Sequence, residues 1–334
     1  MSANNAPQPA QGFYDWLLQL LSDKPEKDAV VDELMIGLVW TLCRSGDSHG
    51  LAMTPQSYSR TLDWPGTLAG RPLGDLAAGI QAWEPFNAVA AMAAINAAIH
   101  AGSSMGPVFD DVVELPAGGG NLAVFEHFLP RIQGARIVVI GRYPGMERYE
   151  REYDLQVIER QPGPDDFPDT AAETLLPGAD WVFLTASSII NKTFPRLAEL
   201  SRKATLVLMG PSTPWLPEMA EWGVDYLAGT VVHDEDLLRR CVAEGGGRVI
   251  FDAAVRYAVA DIGQPRMHLI KTEIAAMAMA RDRLKADMED WYGSGRRGRY
   301  PQLSDYEKVL AELSTLDTQY KWMWDARNPT GRTE

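Results

Sequence analysis

The densest group of hydroxyl and amide side chains in this 334-residue chain lies in one short segment, TASSIINKT (185–193). These side chains belong to Thr185, Ser187, Ser188, Asn191 and Thr193. Lys192 is the only charged residue of the segment, so it offers mainly neutral donors and acceptors. One interpretation is that Ser187 or Ser188 caps a following helix, but a cap uses a single side chain. The surplus favours a second interpretation, a polar wall that binds a ligand.

A second polar segment, GPSTPW (210–215), has the same composition. It begins with Gly210 in a Gly-Pro turn, and Ser212 and Thr213 precede a proline-started helix. Backbone amides and hydroxyls at neighbouring strand ends suit an anionic or carboxylate-bearing ligand. We therefore predict that both segments face the same ligand.

The segment GRYPG (141–145) supplies Gly141 and Arg142 but lacks the G-x-G-x-x-G pattern of a dinucleotide site. Glu159 comes eighteen residues after Gly141, at a distance where an acid often accepts from a ribose hydroxyl. A solvated carboxylate is the favoured alternative for Glu159. An enzyme that uses S-adenosylmethionine or a nicotinamide nucleotide is therefore the second functional hypothesis, and the missing glycines weaken its nicotinamide form most.

The segment GGGN (118–121) precedes a predicted helix, and its glycine amides could bind an anion. A flexible linker that ends in a cap at Asn121 is the favoured interpretation.

Metal-binding patterns are weak. None of the five histidines has a second His or Cys at the spacing of a compact zinc site. The acidic segment HDED (233–236) opens a predicted helix, where acids favour the helix dipole. His49, in the predicted turn SGDSHG (45–50), is the candidate metal ligand because loops often carry function.

Apolar runs separated by helical segments predict the element that positions these residues. The predicted strands are 135–141, 153–159, 180–185, 204–210 and 224–229, and the helices between them include 194–203, 215–222 and 234–243. Unbroken apolar strands alternating with helices indicate a doubly wound parallel α/β domain, here 115–262. Ligands bind such sheets at the carboxyl ends of the strands, where the polar segments lie.

The flanking regions have different patterns. Strands at 32–43 and 51–55 followed by helices at 71–83 and 84–100 predict an N-terminal α+β domain over 11–105. Apolar residues at spacings of three and four after Pro265 predict a helical hairpin over 265–326. We expect residues 266–326 to serve self-association or a protein partner.

Composition limits the functional classes. A net charge of −14 argues against nucleic-acid or anionic-membrane binding. Cys43 and Cys241 lie far apart, no signal peptide is evident and no apolar run would span a bilayer. We expect a soluble, cytoplasmic protein.

The segments TASSIINKT, LMGPSTPWLP and GVDYLAGTVV resemble the heavy-metal-chelation domain family. The segments IGLVWTLC, PGTLAGRPL and AAINAAI resemble the enolase-N-terminal-like domain that precedes it. The resemblance covers roughly residues 30 to 260. It implies a Rossmann-like domain, a ligand cleft between two domains and a role in transition-metal handling.

The leading hypothesis is therefore a protein that binds a small oxygen-rich molecule or a metal complex in that cleft. The residues expected to hold it are Gly141, Arg142, Glu159, Thr185, Ser187, Asn191, Thr193, Gly210, Ser212 and Thr213, with Asn96 or His49 opposite. Neutral side chains favour an organic ligand over a bare ion, so a metal would arrive chelated or find its ligands on the facing domain. The sequence names no particular metal and no reaction.

Overall fold

The computed structural model describes residues 9–57, 62, 64, 68–100 and 112–327. The strands are β1 (Glu33–Ile36), β2 (Trp40–Ser45), β3 (Ser48–Met53), β4 (Val112–Glu114), β5 (Arg136–Ile140), β6 (Asp154–Glu159), β7 (Phe167–Pro168), β8 (Trp181–Thr185), β9 (Thr205–Met209), β10 (Tyr226–Val232) and β11 (Val255–Asp261). The α-helices are α1 (Pro9–Ser22), α2 (Leu73–Ala77), α3 (Pro85–His100), α4 (Asn121–Phe128), α5 (Glu147–Glu150), α6 (Ala172–Leu175), α7 (Ser187–Ile190), α8 (Phe194–Leu200), α9 (Glu235–Ala243), α10 (Ile250–Ala253), α11 (Gln264–Gly293) and α12 (Leu303–Arg327).

The central element is a mixed sheet in the order β4-β11-β10-β9-β8-β5-β6-β7. Strands β5 to β10 run parallel, whereas β11 is antiparallel to both β10 and β4. The prediction of an α/β fold with a mostly parallel sheet is confirmed. The sequence pattern did not predict β11, because Arg256 and two alanines interrupt the β-branched composition typical of a strand.

Helices cover both faces of the large sheet because its strands are apolar on both sides. Trp181 and Phe183 point toward the cluster that includes Phe125 and Phe128 of α4. Val182 points to the opposite cluster, which the N-terminal helices and α8 share. The N-terminal residues therefore pack directly on the sheet, and the division into domains at 11–105, 115–262 and 265–326 stays a prediction.

The N-terminal sheet has the antiparallel order β1-β2-β3, with α3 packed closely against it. A Cβ at Gly50 would lie 1.9 Å from the carbonyl oxygen of Ala93, so only glycine permits this approach. The predicted single strand over 32–43 is wrong, since Gly37 lies in a turn between β1 and β2. The predicted turn over 45–50 is too long, because Gly46, at φ 57°, helps to close a tight turn.

Helices α11 and α12 form an antiparallel pair whose seam includes Met267, Ile270, Leu316 and Met323. Arg281 of α11 bonds to Asp282 of its own helix. Within the described part of the chain, no helix is both long and apolar enough to cross a membrane.

Candidate functional site

The carboxyl ends of β5, β8 and β9 meet at one edge of the large sheet, which we call the carboxyl edge. Gly141 follows β5 with φ 99°, and a Cβ there would lie 3.4 Å from Cγ2 of Thr185. Gly210 follows β9 with φ 120°, and its Cβ would lie 3.9 Å from the amide nitrogen of Ala186. These short distances show that the three strand ends lie close together. Both glycines also adopt a backbone conformation that disfavours side chains.

The hydroxyls after β8 do not cap a helix. The N-cap of α7 is Ala186, in helical conformation, and it has no side-chain cap. The hydroxyls of Thr185 and Ser187 instead lie 3.0 Å apart and bond to each other. Ser188 is buried, and its hydroxyl has no partner in the described residues. The capping interpretation is therefore wrong for this segment, because the chain enters α7 without the extended residue that a cap requires.

The second half of TASSIINKT contains the contact of this segment with the N-terminal elements. Asn191 is exposed, and the hydroxyl of Thr193 lies 3.5 Å from the carbonyl oxygen of Ser188. Lys192 has φ 66°, donates to the carbonyl of Ile80 and lies 4.6 Å from the centroid of the Tyr14 ring. Burial lowers the pKa of Lys192 to about 8. This half of the segment joins the N-terminal elements to the sheet through Lys192, and ligand binding by Asn191 and Thr193 stays a prediction.

Ser212 and Thr213 are likewise buried in the contact between the N-terminal sheet and the large sheet. The Ser212 hydroxyl accepts from the amide of Met53 at 2.9 Å, at the end of β3. The Thr213 hydroxyl lies 3.5 Å from the carbonyl of Ala228. The Ser212 hydroxyl joins β3 to the segment after β9 and that of Thr213 bonds to β10, so both are less available to a ligand than Thr185 and Ser187.

Glu159 and Arg142 are engaged by their own surroundings. The Glu159 carboxylate accepts from the backbone amides of Arg142 at 2.9 Å and Arg160 at 2.7 Å. The Arg142 guanidinium donates to Asp166 and Glu150, and its bond to Asp166 holds the pKa of that carboxyl below its usual range. Both Glu159 oxygens thus bind backbone amides, and nothing here supports a ribose at Glu159 or the adenosyl hypothesis.

Tyr143 belongs to the carboxyl edge although the sequence analysis did not single it out. Its side chain is buried, and its hydroxyl lies 3.9 Å from the position of a Cβ on Gly141. The hydroxyl makes no well-formed hydrogen bond among the described residues. Burial raises the pKa of Tyr143, and the nearby Thr185 opposes this rise only in part. The sequence signal that could have indicated Tyr143 was its position between Gly141 and Gly145, directly after a predicted strand.

Asn96 of α3 faces the N-terminal sheet. Its amide nitrogen donates to the carbonyl of Leu51 at 2.9 Å, whereas its buried Oδ1 lacks a partner in the described chain. The structure therefore leaves one acceptor of Asn96 open, next to the strand that ends at Met53.

His49 lies in β3 and not in a loop, so its predicted placement in a turn is wrong. The ring is buried, with Nδ1 3.6 Å from Glu235 Oε1. Across the described residues, no three His, Cys, Asp or Glu side chains are grouped to hold a metal ion. In HDED, Asp234 accepts from the amide of Leu237 at 2.8 Å and caps α9, which confirms the helix-start interpretation. The described donors thus do not fit a bare metal ion.

Comparisons with known proteins identify the family. Residues 123–261 match the DUF364 family and residues 18–99 match DUF4213, and both families are described as "Putative heavy-metal chelation". A DUF364 structure of unknown function from Desulfitobacterium hafniense is 30% identical, with a TM-score of 0.65 over 75% of this chain and 99% of that one. The chain belongs to this heavy-metal-chelation family. The resemblance noted in the sequence is thereby confirmed.

Two further relatives extend the comparison. A DUF364 protein of unknown function from Pyrococcus horikoshii has the same fold, with 21% identity and a TM-score of 0.58 over 76% of this chain and 100% of that one. An uncharacterized protein of Methanocaldococcus jannaschii is 29% identical over 96 residues, or 27% of this chain. The chain spans 37% of the length of that curated relative. The DUF364 match ends at residue 261, before α11. The enolase-like description of the N-terminal part stays a prediction.

Proposed function

We propose that this family member binds a small oxygen-rich organic molecule, or a metal ion already chelated by one, at the carboxyl edge between β5 and β8. The family description supports a connection with heavy metals. The residues at the edge support recognition of the organic part, because their donors and acceptors are neutral hydroxyls and backbone amides.

One observation carries this proposal. The hydroxyls of Thr185 and Ser187 are half-buried and bond to each other, while that of buried Tyr143 lies near Thr185 but makes no well-formed hydrogen bond among the described residues. Buried polar groups without partners are uncommon and costly in folded proteins. A ligand that exchanges hydrogen bonds with these hydroxyls would remove that cost and gain orientation.

The chemistry of these groups favours a chelated metal over a free ion. Heavy-metal ions such as nickel and copper prefer imidazole and thiolate ligands. The two cysteines are free, buried and placed in different hydrophobic clusters. His49 lies near the Glu235 carboxylate, but no three His, Cys, Asp or Glu side chains of the described residues are grouped to hold a metal ion. A metal would therefore be cargo, held by its own organic ligand.

Calorimetric titration of the full chain tests this function. The probes are citrate and a catecholate, each alone and loaded with nickel, cobalt or zinc, and the same metal ions without a chelator. At least one oxygen-rich probe should bind, and Thr185→Val should weaken it about tenfold, as expected for one lost hydrogen bond in a ligand site.

Thr318→Val is the matched control, since Thr318 bonds within the exposed surface of α12. We expect it to leave binding unchanged. If no oxygen-rich probe binds, or if Thr185→Val and Thr318→Val behave alike, the proposed function is wrong. Tight binding of the bare ions alone would replace it with direct metal coordination.

We also propose that α11 mediates self-association in a cytoplasmic protein. Leu269 and Met279 of this helix are 62% and 75% exposed, which is unusual for large apolar side chains. Two free thiols are compatible with a reducing compartment. Light scattering of a Leu269→Glu/Met279→Glu variant tests the association. A mass equal to that of the unchanged chain would contradict it.

A further inference from the structure

The first turn of α4 has unused hydrogen-bond donors. Its N-cap is Gly120, at φ 54° and ψ −143°, and no side chain caps the helix. The backbone amides of residues 119–122 have no hydrogen-bond acceptor in the described chain. The next amide, that of Ala123, already bonds to the carbonyl of Gly120 at 3.1 Å. Four consecutive free amides at a helix start form a favourable position for an anion.

The predicted cap at Asn121 is wrong, because its side chain bonds elsewhere and leaves the amides of this turn without a cap. Asn121 is the first helical residue, and its Oδ1 accepts from the hydroxyl of Tyr257. The side chain that could have bonded to the helix amides is thus held by β11. Gly118, at φ 82°, bonds through its own amide to the carbonyl of Phe251 at 2.9 Å, which fixes the approach of the chain.

Arg248 adds a positive charge beside these amides. Its guanidinium donates to the carbonyl of Gly118 at 2.9 Å. A Cβ on Gly120 would lie 3.9 Å from Nε of Arg248, so the guanidinium is close to the free turn. An arginine next to backbone amides is a common arrangement for binding carboxylate or phosphate.

The unpartnered hydroxyl of Tyr143 points to a ligand independently of the helix start. Tyr143 is 8% exposed, and its hydroxyl is fully buried without a hydrogen bond among the described residues. Two residues later, a Cβ on Gly145 would lie 2.8 Å from Cδ1 of Leu122 in the first turn of α4. Burial raises the pKa of Tyr257, which bonds to Asn121, and the nearby Tyr143 raises it further. The loop that carries Tyr143 thus contacts the first turn of α4, while the Tyr143 hydroxyl lies near Gly141, beside Thr185.

We propose that the amides of residues 119–122, with Arg248 and Tyr143, bind a carboxylate or phosphate group. This inference rests on the proposed function and refines it. The anionic group would lie at the first turn of α4, and the rest of the ligand would reach Thr185 and Ser187. The amides, the guanidinium and the phenol can all donate hydrogen bonds, which an oxygen anion accepts. The ligand class narrows to small molecules that carry both hydroxyl oxygens and an acidic group.

Amide NMR of the deuterated full chain tests this inference with inorganic phosphate and, separately, with malonate. The amide resonances of residues 119–122 should shift on titration up to about 20 mM, which exceeds the millimolar dissociation constant expected for a single small anion. The anion that shifts them at the lower concentration identifies the preferred chemistry, phosphate or carboxylate. Arg248→Met should weaken binding about tenfold.

Two matched controls separate the site from general effects. Arg240→Met removes an exposed arginine from α9 and should leave the titration unchanged. Tyr143→Phe should weaken anion binding severalfold, whereas Tyr226→Phe removes another buried hydroxyl without a partner and should not. Unshifted amides at residues 119–122, shifts confined to other residues, or equal effects of each variant and its control would overturn the inference.

This test is independent of the organic ligand. If phosphate and malonate fail to bind while Thr185→Val still weakens an oxygen-rich probe, the anion site is wrong and the proposed function stands. If the anions bind α4 but no probe depends on Thr185, the proposed function is wrong and the anion site stands.

Discussion

The two edges of the large sheet use polar groups in opposite ways. At the amino edge, where β9 and β10 begin, Asp225 and Arg266 form a buried ion pair. Arg327 of α12 bonds there to Asp261, and it lies 5.1 Å from the centroid of the Tyr226 ring. At the carboxyl edge, Arg142 and Glu159 have partners of their own, and the groups that stay available are neutral hydroxyls and free amides.

This difference distinguishes the amino edge, a structural joint where ion pairs hold α11 and α12 on the sheet, from the carboxyl edge, a candidate ligand site. Buried charges at the amino edge are matched by opposite charges, and Arg266 also donates to the carbonyls of Gly223 and Arg202. Removing either partner would leave an uncompensated charge. The hydroxyls of Thr185, Ser187 and Tyr143 at the carboxyl edge are uncharged, so leaving them incompletely paired costs less than leaving a charge unpaired and keeps them available. Asp225 of the family segment GVDYLAG therefore anchors α11 and does not line the carboxyl edge.

The largest expected effect is at this joint. Asp225→Ala leaves Arg266 buried without its carboxylate and also removes the acceptor of the Leu206 amide. We expect a loss of about 3–5 kcal/mol in the free energy of unfolding, measured with urea. Glu173→Gln, which removes a surface partner of Arg196, is the control and should shift the midpoint little. Similar losses for both variants would contradict the assignment of a structural joint.

A smaller effect is expected from Gly263→Ala at the start of α11. The new Cβ would lie 2.1 Å from Nη2 of Arg327 and 2.8 Å from Oδ1 of Asp225, so these side chains must move. We expect a loss of about 1–3 kcal/mol in urea unfolding. Gly293→Ala, at the other end of the same helix, has open space around its Cβ and should be neutral or stabilising. Equal behaviour of the two alanine variants would show that α11 is not tightly joined to the sheet.

The free energy of unfolding should depend on pH through His127, which packs against Phe128 near the C-terminal end of α4. Burial, followed by the charge of Arg131, lowers the pKa of His127 to about 4 from its usual 6.5. The unfolded chain therefore binds the proton more readily, and stability is lost as pH falls from 6.5 toward 4. We expect His127→Gln to reduce this loss by about 1 kcal/mol, since solvent reaches part of the ring. Urea unfolding at pH 7.5 and 4.5 gives the comparison, and a constant difference between variant and parent would contradict it.

The sequence predicted the large sheet better than it predicted the site. The apolar runs leading to β5, β8 and β9 are unbroken, so strand type and order along the chain were legible. The pairing of the hydroxyls of Thr185 and Ser187 was not, because the N-cap position of α7 is Ala186, so neither hydroxyl caps the helix. Lys192 was seen as the only charge of the segment, but its left-handed backbone turns it toward Tyr14 and away from the edge.

Other parts of the site depended on contacts between distant residues. Asn121 follows three glycines and resembles a cap, yet a bond from Tyr257, 136 residues away, draws its side chain off the helix. Ser212 has the local sequence of a ligand-binding turn but accepts from Met53 of the N-terminal sheet. No periodicity encodes such pairings, because they depend on how the N-terminal part and β11 pack on the large sheet.

The central claim is that the polar groups of the carboxyl edge serve binding and not stability. The most direct measurement compares a Thr185→Val/Ser187→Ala double variant with the parent chain by urea unfolding and by calorimetric titration with the best oxygen-rich probe. The account predicts a free energy of unfolding within about 1 kcal/mol of the parent, together with loss of detectable binding. A variant that binds as the parent does, or that loses several kcal/mol of stability as expected at the amino edge, would contradict it.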